Sequence, residues 1–256
     1  MEVAFGANGA SAARADASLD IQLLGAFGLV VDGCRVDIPV SAQRVVAFLA
    51  LRRQAAPRAH VAGTLWPLHS EDHAAANLRT ALWRLRCQSD GIVVTSRTDL
   101  SLPPAASIDA VWLERTATGV LERSTRATEE ELSELQHSEP LLTGWYDDWV
   151  VTERERLEYL RLRALESLCE RLTGAGLYLE AADVGLAVVA ADPLRESTQR
   201  TLIEIELARG NLREALRRYE RYTELLGAEL GVAPSPAMQA LLRPLLSPES
   251  RARPTV

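Results

Sequence analysis

Apolar positions near the start of the chain recur with a period of two. In DIQLLGAFGLVVDGCRVDIP the pairs Ile21 and Leu23, Phe27 and Leu29, and Val36 and Ile38 alternate with other residues, the pattern of strands that bury one face. Asp32-Gly33 suits a tight hairpin turn, so short antiparallel strands are predicted. After Pro39 the period becomes helical. Val45, Val46, Phe48, Leu49 and Leu51 mark a first helix, with Ser41 as its expected cap and Ala56-Pro57 as its end. A second helix is predicted over 58–65, closed by Trp66-Pro67. A third starts from Ser70 as N-cap and runs to about Gln88, with Glu71 and Asp72 at its positive end. Within its NLRTALWRLR stretch, Leu78, Leu82 and Leu85 fall in an arc of about 60° on a helical wheel, flanked by Ala74 and Ala81. Thr80, Trp83 and Arg84 point away from that arc, with Asn77 and Arg79 at its margins. GIVVTSRTDLSLPP then predicts a hairpin: a strand over 92–95, a turn over 96–99 with Arg97 at its tip, and a strand over 100–102.

Beyond Trp112 the period stays helical. Glu129, Glu130, Glu131 and Glu134 belong to an acidic helix with a solvated face. Pro140 precedes GWYDDWV, a cluster of aromatic and carboxylate residues. Leu157, Leu160, Ala164, Leu168 and Leu172 step by three or four along a long helix that ends at Gly174 or Gly176. GLYLEAA and GNLREAL then form an internal repeat: Gly176 and Gly210, Glu180 and Glu214, and Ala181 and Ala215 are each 34 residues apart, the tetratricopeptide (TPR) period. Pro193 stands twelve residues after Ala181, where such a repeat ends, and Gly227 fills the equivalent place in the second copy. Stacked helical hairpins with Ala181 and Ala215 at close helix contacts are predicted, an architecture whose concave faces hold protein or peptide partners.

Composition narrows the function. All 28 basic residues are Arg and none is Lys, a bias that reflects GC-rich codons. Its chemical consequence is that a Walker-type phosphate loop, a Schiff-base lysine and a kinase lysine are excluded. The net charge of -7 divides unevenly. Residues 19–112 hold 9 Arg against 8 acidic residues, and residues 113–246 hold 16 against 24. A positive face on the third helix is therefore compatible with an acidic chain. Cys34, Cys87 and Cys169 are odd in number and far apart, which argues against a disulfide frame and fits a reducing cytoplasm. No apolar run approaches the roughly 20 residues of a membrane helix, and the first 18 residues read as a loose tail.

Candidate chemistry points the same way. Asp147 and Asp148 would be an acid/base pair only if they faced one substrate, but adjacent residues diverge on a helix and no nucleophile accompanies them. His69 and His73 have a metal-ligand spacing with Asp72 adjacent, but no third histidine is close and the segment starts the arginine-bearing helix. No enzyme activity, metal or cofactor is expected. Strands, three helices and a terminal hairpin are instead the order of a winged helix-turn-helix, whose last helix enters the major groove while the wing reaches the minor groove or backbone. Arginine suits that work because its planar fork bridges guanine O6 and N7 or grips a phosphate.

QLLGAFGLVVDG, SAQRVVAFLAL, VAGTLWP and ANLRTALWRLR, followed downstream by GWYDDWV, resemble the Streptomyces antibiotic regulatory protein family, activators that join an OmpR-type winged helix to a bacterial transcriptional activator domain. The resemblance covers roughly residues 19 to 246. It implies a mainly α fold with a small β component: a disordered tail over 1–18, a winged helix-turn-helix over 19–108, a TPR-like all-α domain over 109–246, and a second tail over 247–256. It makes the helix with Asn77, Arg79, Thr80, Trp83, Arg84 and Arg86 the recognition helix, with Arg97 on the wing and Arg44 completing the DNA-binding set. Trp83 stands where OmpR-type relatives often carry a basic residue, and packing against the wing is its alternative role. The partners implied are double-stranded promoter DNA, a second copy of the chain on direct repeats near the -35 element, and RNA polymerase with its sigma factor. The target implied is a secondary-metabolite gene cluster. The rival reading is a helical-repeat interaction or ligand-sensing protein whose winged helix binds protein or nonspecific DNA.

Overall fold

The computed structural model describes residues 18–122 and 128–246, so the two expected tails, Ser18 apart, lie outside the described residues. Contacts divide the chain into two units. The first runs to Ala110 and takes in Leu141–Val150; the second comprises Val111–Pro140 and the chain from Val151.

In the first unit, β1 (Leu19–Gln22) pairs antiparallel with β2 (Gly28–Val31), placing Ile21 opposite Leu29. Asp32 and Gly33, at φ 51° and 74°, turn the chain into β3 (Cys34–Arg35). Positive φ at both central residues is what a two-residue hairpin requires. The first helix, α1 (Val40–Arg52), is capped by Pro39. This corrects the expected Ser41 cap: the Pro39 carbonyl already accepts the amides of Ala42 and Gln43 at 2.8 and 3.0 Å, so Ser41 lies within the first turn. β4 (Ala56–Pro57), α2 (Arg58–Leu65), α3 (Glu71–Gln88), β5 (Val94–Thr95), β6 (Asp99–Ser101) and β7 (Ser107–Ile108) follow. The order β4-β6-β5 forms the wing sheet, and β7 adds to β1 in parallel to give β3-β2-β1-β7. The first wing strand is shorter than the predicted 92–95, and the second keeps its predicted length but starts one residue earlier. Ile92 precedes the ladder, although its side chain is buried. Val45, Val46 and Leu49 of α1, Val61 and Leu65 of α2, and Leu78, Ala81, Leu82 and Leu85 of α3 are all buried.

Leu141–Val150 completes this unit. Leu142 N–H donates to the Leu23 carbonyl and Thr143 N–H to Gly25, each at 2.7 Å. Trp145 stacks on Phe27, and Trp149 meets Phe48 edge-on at 5.5 Å. The Asp109 carboxylate accepts the amides of Leu23, Leu24 and Ala110 at 2.8, 3.0 and 2.7 Å. Burial pushes that carboxyl up from its ordinary range against the pull of these donors.

In the second unit, α4 (Asp109–Glu122), which begins in the first, is followed by α5 (Glu129–His137), where Thr128 and Glu131 form a capping box. The long α6 (Asp148–Gly174), also rooted in the first unit, leads to α7 (Tyr178–Ala191), α8 (Glu196–Ala208), α9 (Leu212–Leu230) and α10 (Pro236–Leu246). The 34-residue repeat maps onto this stack. Gly176 and Gly210 take φ 76° and 79° at equivalent turns, and Ala181 and Ala215 are fully buried at equivalent points of α7 and α9. A β-carbon on Gly185 would stand 2.8 Å from Leu202 and 3.1 Å from the Cys169 sulfur, so α7 lies close against α6 and α8. The two copies end differently. Pro193 follows the end of α7, whereas Gly227 lies within α9, which continues to a left-handed cap at Gly231. Only a proline forbids that continuation. Ile203, Ala215, Tyr222, Leu226, Met238 and Leu242 form the core of this end. Among the described residues, no helix is long and apolar enough to cross a membrane.

Candidate nucleic-acid interface

The α3 helix presents the candidate surface. Its start is fixed by Ser70, whose hydroxyl accepts the His73 amide and lies 2.9 Å from His73 Nδ1. That contact gives His73 a local capping role, and among the described residues no group of three His, Cys, Asp or Glu side chains is placed to hold a metal. The buried face is Ala74, Leu78, Ala81, Leu82 and Leu85, the stripe read from the sequence. Arg79, Thr80, Trp83, Arg84 and Arg86 are exposed, and Asn77 is half-buried at the margin. Trp83 is 65% exposed.

The exposed residues differ in their partners. Arg79 and Arg84 make no hydrogen bond or ion pair among the described residues. Arg86 is committed in part: its Nη2 donates to Thr95 Oγ1 on β5 at 2.8 Å, tying the end of α3 to the wing. Thr80 donates its hydroxyl to the Ala76 carbonyl at 3.0 Å.

The wing is held from two sides. Ser96 Oγ accepts the amides of Thr98 and Asp99 at 3.2 and 2.8 Å, and the Ser96 amide donates to the Asp99 carbonyl at 3.0 Å. Arg58 donates its backbone amide to the Thr98 carbonyl at 2.8 Å and its Nε to the Ser96 carbonyl at 3.3 Å. Arg58 was not singled out in the sequence. Its only signal was its place at the start of α2, directly after a Pro that pairs with β6. Arg97 is exposed at the turn and makes no hydrogen bond or ion pair among the described residues.

Arg44 is not brought to this surface. It is half-buried in an ion pair with Asp147, and its Nε is buried with no hydrogen-bond partner among the described residues. That pairing gives Asp147 a structural partner, and with Trp145 and Trp149 it accounts for much of GWYDDWV. Of the cysteines, Cys34 and Cys87 are exposed and Cys169 is buried. Burial pushes the Cys169 thiol up to about 11, and it donates to the Ala181 carbonyl at 3.2 Å. It packs as a small apolar side chain.

Comparison with known proteins bears on the whole chain. Residues 99–246 match the family described as bacterial transcriptional activator domain. The chain is 29% identical over 215 residues to the regulatory protein AfsR of Streptomyces coelicolor, covering 79% of this chain and 21% of that protein. It is 29% identical over 223 residues to AfsR of Streptomyces griseus, covering 82% and 22%. The chain thus spans about a fifth of the length of the curated relatives it matches. The structure of Mycobacterium tuberculosis EmbR in complex with a low-affinity phosphopeptide superposes with a TM-score of 0.70 over 94% of this chain and 67% of that chain, at 20% identity. The likeness is one of fold: a winged helix followed by a TPR-like helical domain.

Proposed function

Because the chain belongs to the bacterial transcriptional activator domain family, we propose that it is a sequence-specific, DNA-binding transcriptional activator of the cytoplasm that works without catalysis. The observation that carries this reading is the solvent face of α3, where Arg79 and Arg84 stand exposed outside a buried leucine stripe, with no hydrogen bond or ion pair among the described residues. Arg84 serves as a base-edge contact in the major groove, with Asn77 and Thr80 beside it. Arg79 grips phosphate, and Arg86 does so while its bond to Thr95 holds the wing in place. Arg97 at the wing tip reaches a minor groove or the backbone. Arg44 acts indirectly, by fixing α1 through Asp147.

DNA binding is assigned to residues 19–108 and activation to residues 109–246. Two copies would sit side by side on direct repeats near the -35 element of promoters in a secondary-metabolite cluster, and the helical unit would touch RNA polymerase and its sigma factor. The resemblance to Streptomyces regulators supports this finer picture. Footprinting of the full chain on promoters flanking its own gene tests it. The expected result is protection of repeated sequences upstream of a start site, with stimulation of purified polymerase at the same promoter. Equal affinity for those promoters and random duplexes would overturn the reading.

A further inference from the structure

Between the arginines of α3 runs a second kind of surface. Ala76, Thr80, Trp83 and Cys87 are spaced by four, three and four residues, which places them within about 60° of one another on the helix wheel, opposite the buried leucines. Arg79 and Arg86 border this line on one side, and Arg84 and Asn77 on the other. Each of the four offers apolar surface. The Thr80 hydroxyl is spent on the Ala76 carbonyl at 3.0 Å, leaving its methyl as the free end. The Trp83 indole is 65% exposed and makes no hydrogen bond among the described residues. Cys87 is exposed as a free thiol, a small soft hydrophobe.

An apolar ridge opposite the core needs an occupant, and its borders identify one. No acidic residue occurs from Asn77 to Gln88, so the ridge lies among the arginines proposed to face DNA, with Arg79 and Arg86 along one border and Arg84 on the other. In the major groove the edges of all four base pairs are polar except for one group, the thymine 5-methyl. We propose that the ridge reads thymine methyl groups, with Trp83 as the principal contact, and that the preferred site therefore carries thymines beside the base pair met by Arg84. The inference rests on the DNA-binding reading above and adds to it a specificity determinant that forms no hydrogen bond to a base.

Deoxyuridine in place of thymidine removes that methyl and leaves the hydrogen-bonding edge unchanged. The full chain is first used to select its preferred duplex from a randomised pool, and each thymidine of that duplex is then replaced singly. The expected result is a loss of roughly fourfold in affinity at one or two positions, the value of one buried methyl group. Trp83→Ala should bind the thymidine and deoxyuridine duplexes alike while keeping the wild-type melting temperature. A selected sequence at which no deoxyuridine matters, or at which Trp83→Ala keeps the same losses, overturns the methyl-reading role and leaves the DNA-binding reading standing. A chain that selects no sequence overturns both. If Trp83→Ala changes only the sedimentation of the free protein and not its preference for thymidine, the ridge is a protein-docking face and the proposal is wrong.

Discussion

Arg79 and Arg84 of α3 and several arginines of the helical unit are the same residue type in a chain without lysine, yet they stand in opposite situations. On α3, Arg79 and Arg84 are exposed and unpaired among the described residues. In the helical unit, Arg161 is 6% exposed and is held at Nε and Nη2 by Glu158, at 2.9 and 2.7 Å, while its Nη1 donates to the carbonyls of Leu135 and Gln136. Arg195 lies between Glu166 and Asp192, Arg156 between Glu153 and Glu114, and Arg209 beside Glu206. Part of the acidity of the second half is thus engaged internally, holding helices to their own arginines. Net charge counts both kinds of arginine alike, but an arginine paired with an internal carboxylate has less of its charge to offer a phosphate.

The contrast requires the first unit to carry a core of its own, and the test of that has the largest expected effect. Leu142 is fully buried and its amide bonds β1's neighbour Leu23. Leu142→Ala should cost about 2–5 kcal/mol, read as loss of hydrogen-exchange protection in residues 19–108 while α7 to α9 stay protected. Protection lost equally in both units would break the division. Next in size is Arg161→Ala. Removing hydrogen bonds from a charged, buried guanidinium should cost roughly 1.5–3 kcal/mol of stability in the helical unit and leave DNA affinity unchanged. A DNA defect in a variant that still folds would mean that the internal pairs also serve binding.

The smallest effect is a pH dependence confined to the helical unit. Burial pushes the Glu196 carboxyl up, but the donors Ser235 and Tyr222, with the charge of Arg200, outweigh it and hold the group below the ordinary glutamate range. The Ser235 amide donates at 3.0 Å and the Tyr222 hydroxyl at 3.3 Å. A carboxyl whose folded pKa is depressed contributes stability that is present above its unfolded pKa and lost as pH falls through the folded one. The melting temperature of the helical unit should therefore fall on acidification through the carboxylate range, and Glu196→Gln should flatten that fall. Parallel curves for the two proteins would remove Glu196 from the account.

The sequence was most informative where the signals were local. The bounds of α2 and the Ser70 cap of α3 follow from Pro57, Trp66-Pro67 and a serine ahead of two acids. The 34-residue spacing of Ala181 and Ala215 likewise located two buried helix contacts. What escaped was non-local. Asp147 is separated by 103 residues from the Arg44 that it pairs with, and nothing in GWYDDWV says that its tryptophans return to Phe27 and Phe48. Ser41 was misread because serine is a good cap in general, whereas the Pro39 carbonyl had already taken that place. The bond between Arg86 and Thr95 was hidden for a similar reason: periodicity gives the face of a side chain but not its partner.

In the proposed function the arginines of α3 are the ones that meet DNA. Its most direct test is a salt titration of specific and random duplexes with the full chain and three variants: Arg84→Ala, Arg79→Ala and Arg209→Ala. Arg84→Ala should lose about 1–3 kcal/mol on the specific duplex and relax preference at one base pair. Arg79→Ala should weaken both duplexes alike and reduce the salt slope by about one phosphate's worth. Arg209→Ala, which removes an arginine already paired with Glu206, should bind as the wild type does. If all three variants titrate like the wild type, or if Arg209→Ala loses as much slope as Arg79→Ala, the arginines of α3 are ordinary surface charge and the account fails.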